Sequence, residues 1–270
     1  MRFKLKLVTI ACAAVWPAVH AQAPLETVAD ASAVQPASLV LTPAVIMVRC
    51  RPGQSTSQVL SIVNNTASDI SFNVSTEDVV IRDGQRVFLP AGQTEKGIAS
   101  SAVAVPASLV VKAGGEASVQ VTFTLPSETI QRAVVTFFRG NVAMQGNGVI
   151  GLAASMGTLV TFDLSGDYQL EAGQLHTSVQ TAAANTILSQ GLHNRGSEPV
   201  VPRGVIAILN ASGKRVAKAS FLTQRLLPGE RLVVSATNPA QLPPGRYRTF
   251  SSFEFERKVI TSAGEFTIPK

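Results

Sequence analysis

Residues 39–74, LVLTPAVIMVRCRPGQSTSQVLSIVNNTASDISFNV, decide the fold. Their apolar side chains partly alternate with polar ones, and the breaks fall at Arg51-Pro52-Gly53 and Asn64-Asn65-Thr66. Nothing in the stretch repeats at helical spacing. It reads as strand, turn, strand, turn, strand, which is the opening of a β-sandwich.

The pattern continues outward. Phe72, Val74 and Thr76 face one way and Asn73, Ser75 and Glu77 the other, as a half-exposed strand requires. Residues 82–99 read as a long connection with one short strand at 86–89. Residues 107–111 and 117–125 read as strands joined by a hairpin-type turn at Lys112-Ala113-Gly114-Gly115, and Pro126 stops the second of them. Strands at 133–144 and 149–164 follow, with Gly146-Asn147-Gly148 as the turn between them. In the last of these, Ile150, Leu152, Ala154, Met156, Val160, Phe162 and Leu164 share one parity, interrupted only by Thr158. A strand of this length can pair beyond its own sheet.

Beyond Asp167 the segments 180–194, 200–210, 214–221, 226–236, 246–255 and 264–268 are, or contain, strands. Turns fall at His193-Asn194-Arg195-Gly196, Asn210-Ala211-Ser212-Gly213, Pro228-Gly229 and Pro243-Pro244-Gly245. The 270 residues exceed one sandwich of about 100 residues and fall short of three. The expected fold is all-β: two tandem β-sandwich domains, at 38–166 and 167–270.

The first residues differ in kind. Arg2, Lys4 and Lys6 precede an apolar run at 7–16, and Val19-His20-Ala21 offers small residues where signal peptidase reads, so 1–21 is expected to be a cleaved secretory signal. The run is about half of the roughly 20 apolar residues that a spanning helix needs, which argues against a membrane anchor. A lipid anchor at Cys12 would follow Thr9-Ile10-Ala11, a poor lipobox. Residues 22–37 lack periodicity and read as a disordered leader.

Without 1–21 the formal charge falls from +6 to +3, since that segment holds three of the 23 basic residues and none of the 17 acidic ones. This is too little for charge-driven nucleic-acid binding, and no stacking aromatics are interleaved with the basic residues. The distribution is uneven: residues 22–166 hold eight basic and ten acidic side chains, residues 167–270 twelve and seven. The basic excess of the second half is either a solvated face or a docking surface for an acidic partner. With Cys12 removed, Cys50 stands alone and no internal disulfide can form. Either Arg49 and Arg51 lower the pKa of Cys50 and make it reactive, or it is a small half-buried thiol.

Enzymatic chemistry finds no inventory here. His176 and His193 have no Cys, Asp or Glu at ligand spacing, so neither a metal nor another cofactor is expected. Gly146, Gly148 and Gly151 spell GxGxxG, but β-type residues follow where a dinucleotide site needs a helix. Glu77 and Asp78 are adjacent on a strand and point to opposite faces, so they cannot act on one atom. Asn64, Asn73 and Asn210 begin chance glycan-acceptor triplets.

The segments LTPAVIMV, PGQSTSQVLSIVNNT and VPASLVVKAGGEASVQVTFTLP, followed by the long alternating run, resemble the first immunoglobulin-like domain of bacterial periplasmic pilus chaperones. GLHNRGSEPVVPRGVIAILNASGKRV, LLPGERLVV and LPPGRYR are similar to immunoglobulin-like repeats of other bacterial envelope proteins. The resemblance implies a non-enzymatic periplasmic or secreted protein that binds a pilin-like or other β-rich envelope subunit by β-strand addition. Ile150, Leu152, Ala154 and Met156 match the alternating residues of the lent strand. The family also holds the subunit's terminal carboxylate with two basic residues, one on the first strand and one on the last. Here Arg49 and Arg51 are displaced substitutes for the first, and residues 157–162 hold no Lys or Arg for the second. Two alternatives stand beside this reading: the apolar strand fills its own core, or the chain is a structural or adhesive envelope protein with tandem binding domains.

Overall fold

The computed structural model describes residues 38–143, 151–180, 185–239 and 241–269. The expected signal and leader, the turn at Gly146-Asn147-Gly148, and Ile150 lie outside them. The first half contains strands β1 (Leu39–Thr42), β2 (Val45–Arg49), β3 (Ser55–Asn64), β4 (Ile70–Arg82), β5 (Gln85–Pro90), β6 (Val103–Val105), β7 (Ser108–Val111), β8 (Glu116–Thr124), β9 (Ala133–Ala143) and β10 (Gly151–Asp163). They form two sheets, β1-β3-β8-β6 and β2-β10-β9-β4-β5, with β7 paired to β4 in the second. The second half contains β11 (Leu170–Gln180), β12 (Asn185–Asn194), β13 (Arg203–Leu209), β14 (Arg215–Ser220), β15 (Arg231–Asn238), β16 (Gly245–Phe255) and β17 (Lys258–Ile268). These make sheets β11-β12-β15 and β14-β13-β16-β17. The architecture is that of two immunoglobulin-like sandwiches.

Period-two alternation decides what each core contains. Along β3, Leu60 and Ile62 are buried while Ser57 and Val59 face out; along β8, Val119, Val121 and Phe123 are buried. Phe123 meets Phe162 of the opposite sheet edge-on, 5.7 Å between ring centroids, so the sheets lock across the core. Each fully buried side chain of this kind contributes about 1.5–3 kcal/mol. The second core is built alike around Leu188, Ile206, Ile208, Val234 and Phe253.

The halves also share a corner. β3 ends at Asn64 and β12 at Asn194, and both side chains are fully buried. The Asn64 amide donates to the carbonyls of Ser68, Val111 and Lys112 at 2.8, 3.1 and 3.2 Å, and its oxygen accepts from the Thr66 N–H and hydroxyl. The Asn194 amide donates to the Glu198 and Leu226 carbonyls at 2.8 and 3.1 Å, and its oxygen accepts the Gly196 N–H. In each sandwich one side chain thus satisfies the backbone of a bend and of a crossing segment.

Three strand readings need correction. The Lys112–Gly115 turn does not close a hairpin: β7 pairs with β4 and β8 with β3, so it carries the chain from one sheet to the other. β11 occupies 170–180, where no strand was expected, because a bulge between Ala172 and Leu175 shifts the parity of the alternation. β17 begins at Lys258 rather than near 264. Its hairpin with β16 turns at Glu256 and Arg257, both left-handed with φ of 40° and 63°, a tight-turn geometry that sequence usually marks with Asn-Gly.

The two sandwiches meet in a continuous junction. Leu227 packs against Val79, Ala133 and Val135 of the first. Around it, Arg86 pairs with Glu230 at 2.8 Å and Arg132 with Glu198 at 3.2 Å, both carboxylates nearly or fully buried. Glu198 also accepts the Leu164 N–H and Glu230 the Leu227 N–H, so these buried charges are satisfied by backbone as well as by arginine. Asp163, buried at the end of β10, accepts from Arg49 Nε at 3.1 Å, the Ser165 N–H at 2.9 Å and the Tyr168 hydroxyl at 2.7 Å. Burial alone would raise its pKa, but these donors outweigh burial and hold it below the ordinary aspartate value.

Asn64→Ala and Asn194→Ala are each expected to lower the unfolding free energy by about 2–4 kcal/mol, because the first takes a donor from three backbone carbonyls and the second from two, and each leaves a backbone N–H without its acceptor. Urea titration checks this, and a loss near zero for both would remove the corners from the account. Because Asp163 is more acidic folded than unfolded, it stabilises the fold above the unfolded aspartate pKa of about 3.9, and that contribution disappears as pH falls through the lower folded value. The stability gap between the native chain and Asp163→Asn should therefore be widest above about pH 5 and narrow below pH 4; a gap that is flat with pH would contradict this.

Candidate functional site

The site begins at Pro43. The first strand of the chain is split there: β1 pairs with β3 in one sheet, and β2 crosses to pair in parallel with β10 in the other. β2 starts only at Val45, opposite Leu159, and runs to Arg49, opposite Asp163. The Leu159 N–H donates to the Ala44 carbonyl at 3.0 Å, and the Thr158 hydroxyl donates to the Pro43 carbonyl at 2.8 Å. Cover of β10 ends at this point. On its other side β10 is paired with β9 all the way from Gly151 to Thr161. Among the described residues, no strand pairs with β10 opposite β9 between Gly151 and Thr158.

The direction of its main-chain groups follows from the bonds that β10 does make. The Leu159 N–H points to β2, and the Phe162 N–H points the other way, to Arg132 before β9. Successive residues alternate, so the N–H and C=O of Ala153, Ser155 and Gly157 lie on the open side and those of the even-numbered residues serve β9. Side chains alternate at right angles to this. Ala154 and Met156 are half-buried, with Met156 against the core, while Ser155 and Gly157 are exposed. Leu152 lies on the same strand opposite Val142, and Ile150 lies outside the described residues. The open segment thus offers a row of donors and acceptors at a sheet edge.

Arg49 sits at the far, covered end. Its Nε bonds Asp163, and its guanidinium lies 3.8 Å from Glu256 while remaining largely exposed. Asp163 is about 16 Å along the strand from Thr158, at 3.3 Å per residue. Arg51 lies in the exposed turn after β2, where its backbone N–H donates to the Gln54 side chain. The structure therefore brings neither arginine to the open edge. Cys50 between them is half-buried; burial first, and then the charges of Asp163 and Glu198, push its thiol pKa up. The reading of a thiol activated by its arginine neighbours is corrected on that ground.

Arg225 was not legible in the sequence as a site residue. It belongs to the second half, and its guanidinium donates to the Ile46 carbonyl on β2 at 3.1 Å, an oxygen that also accepts the Thr161 hydroxyl. Its Nε is buried without a partner, and it has no ion pair among the described residues. Burial, and then the neighbouring charge of Arg86, lowers its basicity. A half-buried guanidinium with one unpartnered donor thus lies beside β2. Only the general excess of basic residues after Asp167 hinted at it.

No protein-family model matches the chain, and no curated protein matches it. Solved structures similar to it include the class 5 fimbriae chaperone CfaA, at 10% identity over 86% of this chain and 100% of that chain, with a TM-score of 0.46. The Pseudomonas aeruginosa CupB2 chaperone matches at 10% identity over 85% and 100%, with a TM-score of 0.39. The E. coli chaperone DraB matches at 13% identity over 86% and 96%, with a TM-score of 0.38. Fimbrial chaperones therefore stand among the solved structures that this chain resembles.

Proposed function

We propose that this chain is a non-enzymatic, chaperone-like protein of the bacterial periplasm that binds a pilin-like or other β-rich subunit by strand addition at β10. The observation that supports the reading is the edge from Gly151 to Thr158, which has no strand partner among the described residues, in a strand paired on its other side with β9 from Gly151 to Thr161. A strand laid on this edge bonds to the main chain of Ala153, Ser155 and Gly157, which supplies affinity without regard to sequence. Ile150, Leu152, Ala154 and Met156 are the side chains that set the fit. Arg225, beside the point where β2 ends the open segment, takes a carboxylate of the same partner. Arg49 is a junction residue in this account.

The test is the intact native mass of the protein purified from its own periplasm, followed by affinity measurements on the subunit recovered with it. Ser155→Pro removes one edge donor and leaves the β9 ladder intact, and it should weaken the complex about tenfold or more, a loss of about 1.4 kcal/mol. Arg225→Gln should weaken it by a similar factor, with circular dichroism checking that the variant remains folded. A bare chain under every condition, or two variants that hold the subunit at native affinity, would overturn the proposal.

A further inference from the structure

The outward face of the sheet β14-β13-β16-β17 carries much of the basic excess of the second half, in an ordered pattern. Register places Leu209 opposite Arg248 and Arg248 opposite Glu265; Lys218 opposite Ala207, Ala207 opposite Phe250, and Phe250 opposite Ala263; and Arg203 opposite Glu254, with Glu254 opposite Val259. Arg215 lies beside Leu209, and Arg246 follows on β16. The middle of the face is apolar. Phe250 stands between two alanines that are too small to cover it and is 50% exposed; exposed Val205 lies at the next outward position of β13, and exposed Val259 lies further along the face, opposite Glu254. Around it are Arg203, Arg215, Lys218, Arg246 and Arg248, all exposed. Glu254 and Glu265 are the acids of the same face. Although two of the arginines lie directly across from them, none of the five cations forms an ion pair among the described residues. A hollow of about 240 Å³ opens between Arg246, Arg248, Glu265 and Ala211.

We infer that this face is a second interaction surface, distinct from β10, whose partner is a protein segment presenting carboxylates on either side of an apolar side chain. An apolar centre ringed by arginine is the composition of a protein interface, and the ring is unspent. The sign of the charge chooses the occupant. A second copy of this chain would bring five cations against five. A uniformly anionic lipid surface would meet Glu254 and Glu265 inside the patch, whereas a protein segment can place its carboxylates over the arginines alone.

The experiment uses the full exported chain and a capped peptide, Glu-Glu-Phe-Glu-Glu, followed by amide chemical shifts. Saturable shifts confined to β13, β14, β16 and β17 are expected, with affinity falling as salt rises. The double reversal Lys218→Glu with Arg248→Glu, and separately Phe250→Ala, should each weaken binding about fivefold or more. These positions are exposed, and circular dichroism checks that the variants remain folded. Absence of saturable shifts, equal binding by the variants, or shifts elicited equally by a Lys-Lys-Phe-Lys-Lys peptide would overturn the inference. So would sedimentation with vesicles of equimolar phosphatidylglycerol and phosphatidylcholine by a chain that ignores the acidic peptide.

Discussion

The structure depends on the division of its first strand between two sheets. Residues 39–42 complete one sheet of the first sandwich, and residues 45–49 are added in parallel to the other. Proline at 43 has no N–H to give to either ladder, so the crossing occurs where a donor would be wasted. Both consequences matter. The crossing ties the sheets together at one end of the core, and it shortens the strand that lies beside β10. Had residues 39–49 stayed in one sheet, the edge between Gly151 and Thr158 would have had a partner of its own.

The junction answers a different problem, that of placing charges where two apolar faces meet. Glu198, Glu230 and Asp163 are largely stripped of water, and such carboxylates are tolerable only with geometry this complete. Each is held by an arginine and by at least one backbone N–H. The arginines Arg49, Arg86 and Arg132 come from the first half. Arg225 comes from the second and is the exception, since its charge is not matched by any of these carboxylates.

Much of this was legible in the sequence. The alternation marked strands at 55–64 and 151–163, the shared parity of Ala154, Met156, Val160 and Phe162 is the side that turns to the core, and the turns at 210–213, 228–229 and 243–245 fell where Gly was needed. Asp78 and Glu77 do face opposite ways: Asp78 is buried and accepts the N–H groups of Ile98 and Ala99, while Glu77 meets Arg139. What escaped has physical causes. A bulge destroyed the parity of β11. The tight turn at Glu256 and Arg257 carries no turn residue, and the inward position Gly264 of β17 has little room for a side chain because Thr249 and Leu175 crowd it. Site residues were harder still. The role of Arg49 depends on a carboxylate 114 residues away, and that of Arg225 on a carbonyl 179 residues away. Local pattern does not report pairings of that separation.

The same separation bears on the order in which the molecule assembles. β10 and β9 are neighbours along the chain, so they can pair early, whereas β2 reaches β10 only by closing a loop of more than a hundred residues. Loop closure grows costlier with length, and topologies rich in such distant contacts fold slowly. β2 should therefore be among the last strands to dock. Until it does, β10 has no partner opposite β9 among the described residues down to Asp163, and the newly made chain is itself an unfinished sheet.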